Sequence, residues 1–207
     1  MTTPTPGSLL LFRRLTLRQA LHGYGIRGIT TWLAHWCIAI CQLIKSSGPQ
    51  PDGYWQYVHA AMVCQMFDRL AVVEFYAGRP GIHAAPLTTR LAAYPGAVDC
   101  YPLSERYEWN HKKWAHWWND HVTWGYSYLG LPFAVTSLFS GYRSRHAMFC
   151  SQAVIDLLMY MGIVPPELMV VRGGRLVMSE VKPQTYSPAE VGRIPQFKRN
   201  SAFCVKE

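Results

Sequence analysis

Met148-Phe149-Cys150-Ser151-Gln152-Ala153-Val154-Ile155-Asp156-Leu157-Leu158-Met159-Tyr160-Met161-Gly162 is the stretch around which the chain organises itself. Apolar residues at 154, 155, 158, 159 and 161 fit one face of a helix, and Gly162 supplies a C-terminal stop. Cys150 therefore falls at or just before the first turn. There it faces unpaired backbone N–H groups and the positive end of the helix dipole, both of which favour thiolate over thiol. The same N–H groups are placed to hold a developing oxyanion. The plainer reading of a single cysteine is a small buried hydrophobe at a helix start. What sets Cys150 apart is a histidine far upstream.

A thiolate nucleophile needs a base within hydrogen-bond reach, and the base needs a third group to orient it. Of the eight histidines, His59 lies in Tyr57-Val58-His59-Ala60-Ala61-Met62-Val63, a run that reads as a strand with small residues beside the histidine. Those small neighbours let another segment approach. Val72-Val73-Glu74-Phe75 then puts a single carboxylate in an otherwise apolar run. Residues 57–67 and 70–77, with Asp68-Arg69 near a turn, predict a β-hairpin, and alternation can bring Glu74 onto the face of His59. A turn at Asp68-Arg69 sets Glu74 opposite Val63; a loop centred between Met66 and Phe67 sets it opposite His59. The alternatives are a buried Glu74 paired with an arginine and a His59 satisfied by a backbone carbonyl.

Working outward, residues 9–13 read as a buried strand. Residues 15–29, with Gly23, Gly25 and Gly28, read as a flexible connection, and a helix capped by Thr30 or Thr31 runs to about Ile44. That helix is too short to span a bilayer comfortably and reads as a core or interfacial helix. After the hairpin come a strand at 82–85, a short helix opened by Pro86 and a strand at 98–103. The segment 104–124 holds Trp109, Trp114, Trp117, Trp118 and Trp124, and is expected to be mostly helical from Ser104 to Val122. Trp114, Trp117, Trp118 and His121 share one face, which packs on the sheet, lines a substrate groove or anchors at a lipid interface. Ser187-Pro188-Ala189-Glu190 reads as a helix start, and the chain closes on a basic tail, 195–207, whose last ten residues read as mobile.

Half of the 207 residues are hydrophobic, enough for a substantial core, and the length suits one domain. The formal charge of +8 allows an anionic partner, whether wall polymer, lipid surface or nucleic acid, but the basic residues are dispersed and no nucleic-acid motif accompanies them. The six cysteines show no CxxC and no regular framework. Cys37 and Cys41 lie one turn apart without further ligands, and His116 and His121 are badly spaced for a metal, so no metal and no cofactor is expected. The first residues lack the basic and apolar regions of a signal peptide, and no transmembrane segment is expected. The expected setting is the cytoplasm or a larger particle.

The order of strand, helix, His-bearing strand, Glu-bearing strand and late Cys-headed helix spans nearly the whole chain. It is carried by Pro6-Gly7-Ser8-Leu9-Leu10-Leu11-Phe12, Val58-His59-Ala60-Ala61-Met62-Val63, Val72-Val73-Glu74, Tyr126-Ser127-Tyr128-Leu129-Gly130, Phe149-Cys150-Ser151-Gln152-Ala153-Val154 and Ser187-Pro188-Ala189-Glu190-Val191. This order resembles the circularly permuted papain-like cysteine hydrolases of the NlpC-related superfamily, which includes YiiX-like proteins and the lecithin–retinol acyltransferase group. The resemblance implies a single α+β papain-like domain over 1–207, a small antiparallel sheet or half-barrel with the Cys helix packed on it. It implies Cys150 as nucleophile, His59 as base and Glu74 as the third polar group, with Tyr126, Tyr128 and Ser151 near the substrate. Ser8 and Ser127 stand where the family often has Asp, and Ala60-Ala61 where Val-Gly is usual.

Three functions are compatible with this reading. The first is a cysteine hydrolase cleaving an amide or isopeptide bond in a wall peptide, another peptide or a lipid-linked substrate. The second is lipid acyl transfer or ester hydrolysis, with the tryptophan segment at the interface. The third is a non-enzymatic component of a larger assembly that keeps the scaffold.

Overall fold

The computed structural model describes residues 3–45, 53–75, 81–127, 147–172, 175–198 and 203–206. In chain order the elements are β1 (Leu9–Arg13), α1 (Leu17–Tyr24), α2 (Gly28–Lys45), β2 (Tyr57–Met66), β3 (Arg69–Phe75), β4 (Ile82–Pro86), α3 (Leu87–Ala93) and β5 (Val98–Tyr101). They continue with α4 (His111–His121), β6 (Gly125–Tyr126), β7 (Ala147–Met148), α5 (Cys150–Tyr160), β8 (Glu167–Arg172), β9 (Arg175–Glu180), α6 (Pro188–Val191) and β10 (Phe203–Lys206). The fold is α+β: a six-stranded antiparallel sheet in the order β10-β5-β1-β2-β3-β4, with no closed barrel among the described residues.

The central strands β1 and β2 are apolar on both sides because the sheet is covered on both sides. Leu9, Leu11, Ala60, Met62, Val73 and Phe75 belong to one buried cluster, filled by Trp114 and Trp117 of α4 and by Val154, Leu157 and Leu158 of α5. Leu10, Phe12, Ala61, Val63 and Val72 belong to the other, closed by Ala20 of α1, Trp32 of α2 and Leu87 of α3. Alternation along β1 and β2 thus divides the interior into two cores, one under the Cys150 helix and one under the α1–α2 pair.

Three expectations need correction. Residues 15–29 are ordered by local chemistry: Thr16 caps α1, its hydroxyl accepting from the Gln19 N–H while the Gln19 side chain accepts from the Thr16 N–H. Gly28 serves close packing there, since a Cβ on it would stand 2.1 Å from the Ala20 carbonyl oxygen. Residues 104–110 are not helical: Ser104 N–H bonds the Gln196 carbonyl at 2.8 Å, and α4 starts only where the Asn110 side chain accepts from Lys113 N–H. The described end of the tail, residues 203–206, is tied down, with Phe203–Lys206 pairing along β5 and Lys206 Nζ bonding the Leu91 carbonyl at 2.8 Å. Phe203 and Val205, two apart, lay their side chains on the core below.

Candidate functional site

The hairpin register places Glu74 between the two positions that its turn allowed. Met66 pairs with Arg69 and Met62 with Val73, so the turn is Phe67-Asp68 and Glu74 comes level with Ala61, one alternation from His59 on the same face. His59 Nε2 meets Glu74 Oε2 at 2.5 Å. On that face the imidazole lies 5.1 Å from the Phe12 ring, and Phe12 in turn meets Tyr94 edge-on.

The β2–β3 ladder stops at Met62↔Val73, although β2 runs back to Tyr57 and β3 on to Phe75. Val63 directs its N–H to the Ser8 carbonyl across β1, so Ala60, three residues earlier, directs its own N–H away from β1 toward β3. With the ladder open there, that N–H goes to the Cys150 sulfur instead of a strand carbonyl. The gap between the strands is where the head of α5 meets His59.

At that head the helix is left uncapped. Phe149 occupies the N-cap with an extended backbone and no side-chain hydrogen bond. Ser, Thr, Asn or Asp there would be worth about 1 kcal/mol to the helix. Without one, the first-turn N–H groups remain turned to Cys150, and the Ser151 N–H donates to its sulfur. At the far end Gly162, at φ +77°, takes the left-handed conformation that stops the helix.

The electrostatics follow from these contacts. Burial works against charge on Cys150, but His59, a hydrogen bond from it, and the Ala60 and Ser151 N–H groups outweigh burial and lower the thiol's pKa. Burial also pulls His59 down; Cys150 and Glu74 together overcome it and hold the imidazole at about 9. Since Nε2 is taken by Glu74, the hydrogen bond to sulfur falls to Nδ1. Burial would raise Glu74, yet His59 and Arg90 bring it to about 2. These contacts favour a thiolate–imidazolium pair backed by a carboxylate. His35 of α2 is in the field of this imidazolium: burial first, then His59 and Arg14, lower it to about 4. It stays neutral and accepts the Leu15 N–H at Nδ1.

Arg90 is the member that residue-by-residue reading did not place. Its Nε donates to Glu74 Oε1 and one terminal nitrogen to Oε2 at 3.1 Å, while its guanidinium lies 4.6 Å over the Phe12 ring. Glu74 thus fulfils both readings of it, orienter of His59 and partner of a buried arginine. With Cys150 as thiolate, its charge sums to zero with the imidazolium, carboxylate and guanidinium, a balance that offsets the cost of burying the four groups together. The available signal was that Arg90 is the one charged residue on α3.

The other expected site residues divide. Ser151 is fully buried and its hydroxyl donates to the Tyr186 carbonyl at 2.7 Å, so only its backbone N–H faces the site. Tyr126 is half-buried on β6, which pairs in parallel with β7 directly ahead of Cys150. Tyr128 lies outside the described residues. Behind Cys150 the wall is apolar apart from Glu74, lined by Met62, Val73, Phe75, Ile82 and Trp117. The tryptophan helix contributes to that wall from the core: Trp114 and Trp117 are buried while Lys112 and Lys113 are exposed. No cluster of three metal-ligating side chains occurs among the described residues.

Comparison with family models, with curated proteins and with solved structures returned no match.

Proposed function

We propose that the chain is a cysteine hydrolase of the permuted papain-like kind, acting on an amide or isopeptide bond through Cys150, His59 and Glu74. The observation that carries this reading is a buried cysteine at an uncapped helix N-terminus, hydrogen-bonded to a histidine that a buried carboxylate holds from behind. In the reaction, the Cys150 thiolate adds to the carbonyl carbon, and the negative charge gathers on the carbonyl oxygen beside the Cys150 N–H. His59 Nδ1 gives its proton to the leaving nitrogen as the C–N bond breaks, leaving a thioester. Neutral His59 then takes a proton from water, whose oxygen attacks the thioester and frees the acid and the thiolate. Glu74 keeps the ring oriented and stabilises its positive charge throughout. The same thioester would serve acyl transfer, with an alcohol or amine in place of water.

The test is acylation by p-nitrophenyl acetate, a small activated ester that needs no specific pocket. The expected result is release of nitrophenolate with an acetyl group on Cys150, found by peptide mass mapping. Cys150→Ser should keep the fold and lose both signals, because an unactivated hydroxyl is a far weaker nucleophile. Acetylation spread over the exposed cysteines, with Cys150 unmodified, would leave the scaffold reading in its place.

A further inference from the structure

The outer face of α2 carries a surface that the candidate site does not use. Over its 18 residues only Gly28, Ala39 and Gln42 are buried. Ile29, Leu33, Cys37, Ile40 and Ile44, spaced four, four, three and four apart, fall within one quadrant of the helix and are all exposed. Leu33 is 50% exposed, Ile40 47% and Ile44 70%; Ile26, in the turn ahead of the helix, reaches 83%. Scattered surface leucines are ordinary, but an unbroken apolar stripe along a whole helix marks an interaction surface.

Charge selects what fits it. No aspartate or glutamate occurs before Asp52, while Arg13, Arg14, Arg18, Arg27 and Lys45 all precede it. Arg13 is engaged by Asp99 and Lys45 by Glu190, whereas Arg14 lies over Trp36 and Trp55. Arg18 is exposed on α1, and Arg27 is exposed on the turn into α2, two residues before the start of the stripe. A second copy of this chain would have to set such basic ends against one another, with no carboxylate in residues 1–51 to meet them. An anionic lipid surface satisfies both halves: its acyl boundary takes the stripe and its headgroups take the arginines. No helix among the described residues is long and apolar enough to cross a membrane, which leaves α2 lying in the plane of the interface.

We infer that the α1–α2 pair docks the protein on anionic membranes, with α2 in the interface and Arg18 and Arg27 on headgroups. This does not rest on the proposed chemistry, since none of these residues belongs to the site. His35, on the same helix, is in the electrostatic field of His59.

The experiment is flotation of the full chain with vesicles of phosphatidylcholine alone and of phosphatidylcholine mixed with phosphatidylglycerol. Flotation only with the mixed vesicles, weakened by added salt, is expected. Leu33→Glu with Ile40→Glu should weaken it about a hundredfold, through lost apolar burial and added repulsion. Arg18→Gln and Arg27→Gln should each weaken it roughly fivefold. Far-UV circular dichroism and thermal melts check that the variants stay folded, and the arginine variants, changed only at exposed positions, stand if the double variant does not. Absence of flotation, or equal flotation with both vesicles, overturns the inference. So does a concentration-dependent dimer, without flotation, that Leu33→Glu/Ile40→Glu converts to a monomer; the stripe would then belong to a second copy.

Discussion

Cys64 and Cys150 are buried alike, at 0% and 2% exposure, one on β2 and the other against it, yet they are opposite in chemistry. Cys64 sits where the hairpin ladder is closed, paired with Ala71. Burial alone acts on it and raises its pKa well above that of an ordinary thiol. Cys150 meets the same strand four residues away, where the ladder is open and a strand N–H and an imidazole are turned toward it. Burial therefore does not decide whether a cysteine is inert. The donors aimed at the sulfur do, and low polarity then strengthens whichever state they favour.

Thiol reactivity should separate the two regions by the largest margin. In a chain with the exposed Cys37 and Cys204 changed to serine, iodoacetamide at pH 6 should modify Cys150 about a thousandfold faster than Cys64 or Cys100. Cys100, raised to about 11 mainly by burial, holds almost no thiolate at that pH. The thiolate fraction dominates the ratio even though a low-pKa thiolate is individually less nucleophilic. Peptide mapping over a time course gives the rates. Equal rates for the three buried thiols would erase the contrast.

The carboxylate behind His59 gives the next effect, read as stability. Glu74 is held at about 2, below its ordinary value of 4.5, so its contribution is complete above 4.5 and is lost as pH falls through about 2. That contribution is on the order of 3 kcal/mol. His59 is raised to about 9, so its own contribution is complete below 6.5 and lost as pH rises through 9. Cys150 is lowered and runs in the opposite sense. Wherever the native ion pair and the unfolded neutral pair each hold one proton, those two slopes cancel. The acid side is therefore where the site shows itself. Urea unfolding from pH 6 to pH 3 should lose stability steeply, and Glu74→Gln should flatten the slope. The variant should also be weaker at pH 6 by about 3 kcal/mol, because Arg90 is left buried without its counter-charge. An unchanged acid slope would remove Glu74 from the site's electrostatics.

Removing the base sharpens the same comparison. His59→Ala takes away the imidazolium that stabilises the sulfur's charge, and alkylation of Cys150 at pH 6 should slow about a hundredfold while Cys64 is unaffected. Combining it with Cys150→Ser should cost turnover no more than either change alone, since the two act as one unit. An unchanged alkylation rate after His59→Ala would make the two helix-head and strand N–H groups the whole cause of the lowered pKa.

What was legible in the sequence follows the same division between local and non-local causes. Cys150 at a helix head, the apolar face behind it and the stop at Gly162 are written within fifteen residues, as are the Ser187–Glu190 cap and the two hairpin strands. The α+β class was implied by the resemblance that these elements, in their order along the chain, carry. The Glu74 register was not local, because it depends on which two residues turn, and Phe67, non-glycine at φ +55°, gives no turn signal in its residue type. The opening of the ladder at Ala60 could only be anticipated as room, through two alanines beside the histidine. Arg90 reaches Glu74 from a different element, and only charge balance could have asked for it. The α1 cap at Thr16 and Gln19 was readable but masked by three nearby glycines: Gly23 and Gly28 serve close packing, and Gly25, at φ +58°, ends α1. The tail strand at Phe203 became a strand because β5 had an open edge, which the tail does not record.

The smallest effect expected is also the most direct comparison of the two cysteines, because it applies one substitution at both. Cys→Ser removes little volume and replaces a weak hydrogen-bonding group with a strong one. At position 64 the hydroxyl enters a closed apolar stretch where burial is the one influence on the thiol, and an unpaired buried hydroxyl costs about 1–3 kcal/mol. At position 150 it meets the Ala60 and Ser151 N–H groups and the His59 ring, so it can accept and donate at once. Against that gain stands the loss of the thiolate's attraction to the imidazolium, and the two should leave Cys150→Ser within about 1 kcal/mol of the parent. Thermal melts of the two variants at pH 6 should therefore rank Cys64→Ser below Cys150→Ser, although the more stable of the two is the one that lacks the proposed nucleophile. The opposite ranking would mean that the donors around position 150 are spaced for sulfur and cannot close on oxygen. The site would then be built to the size of the thiolate as well as to its charge.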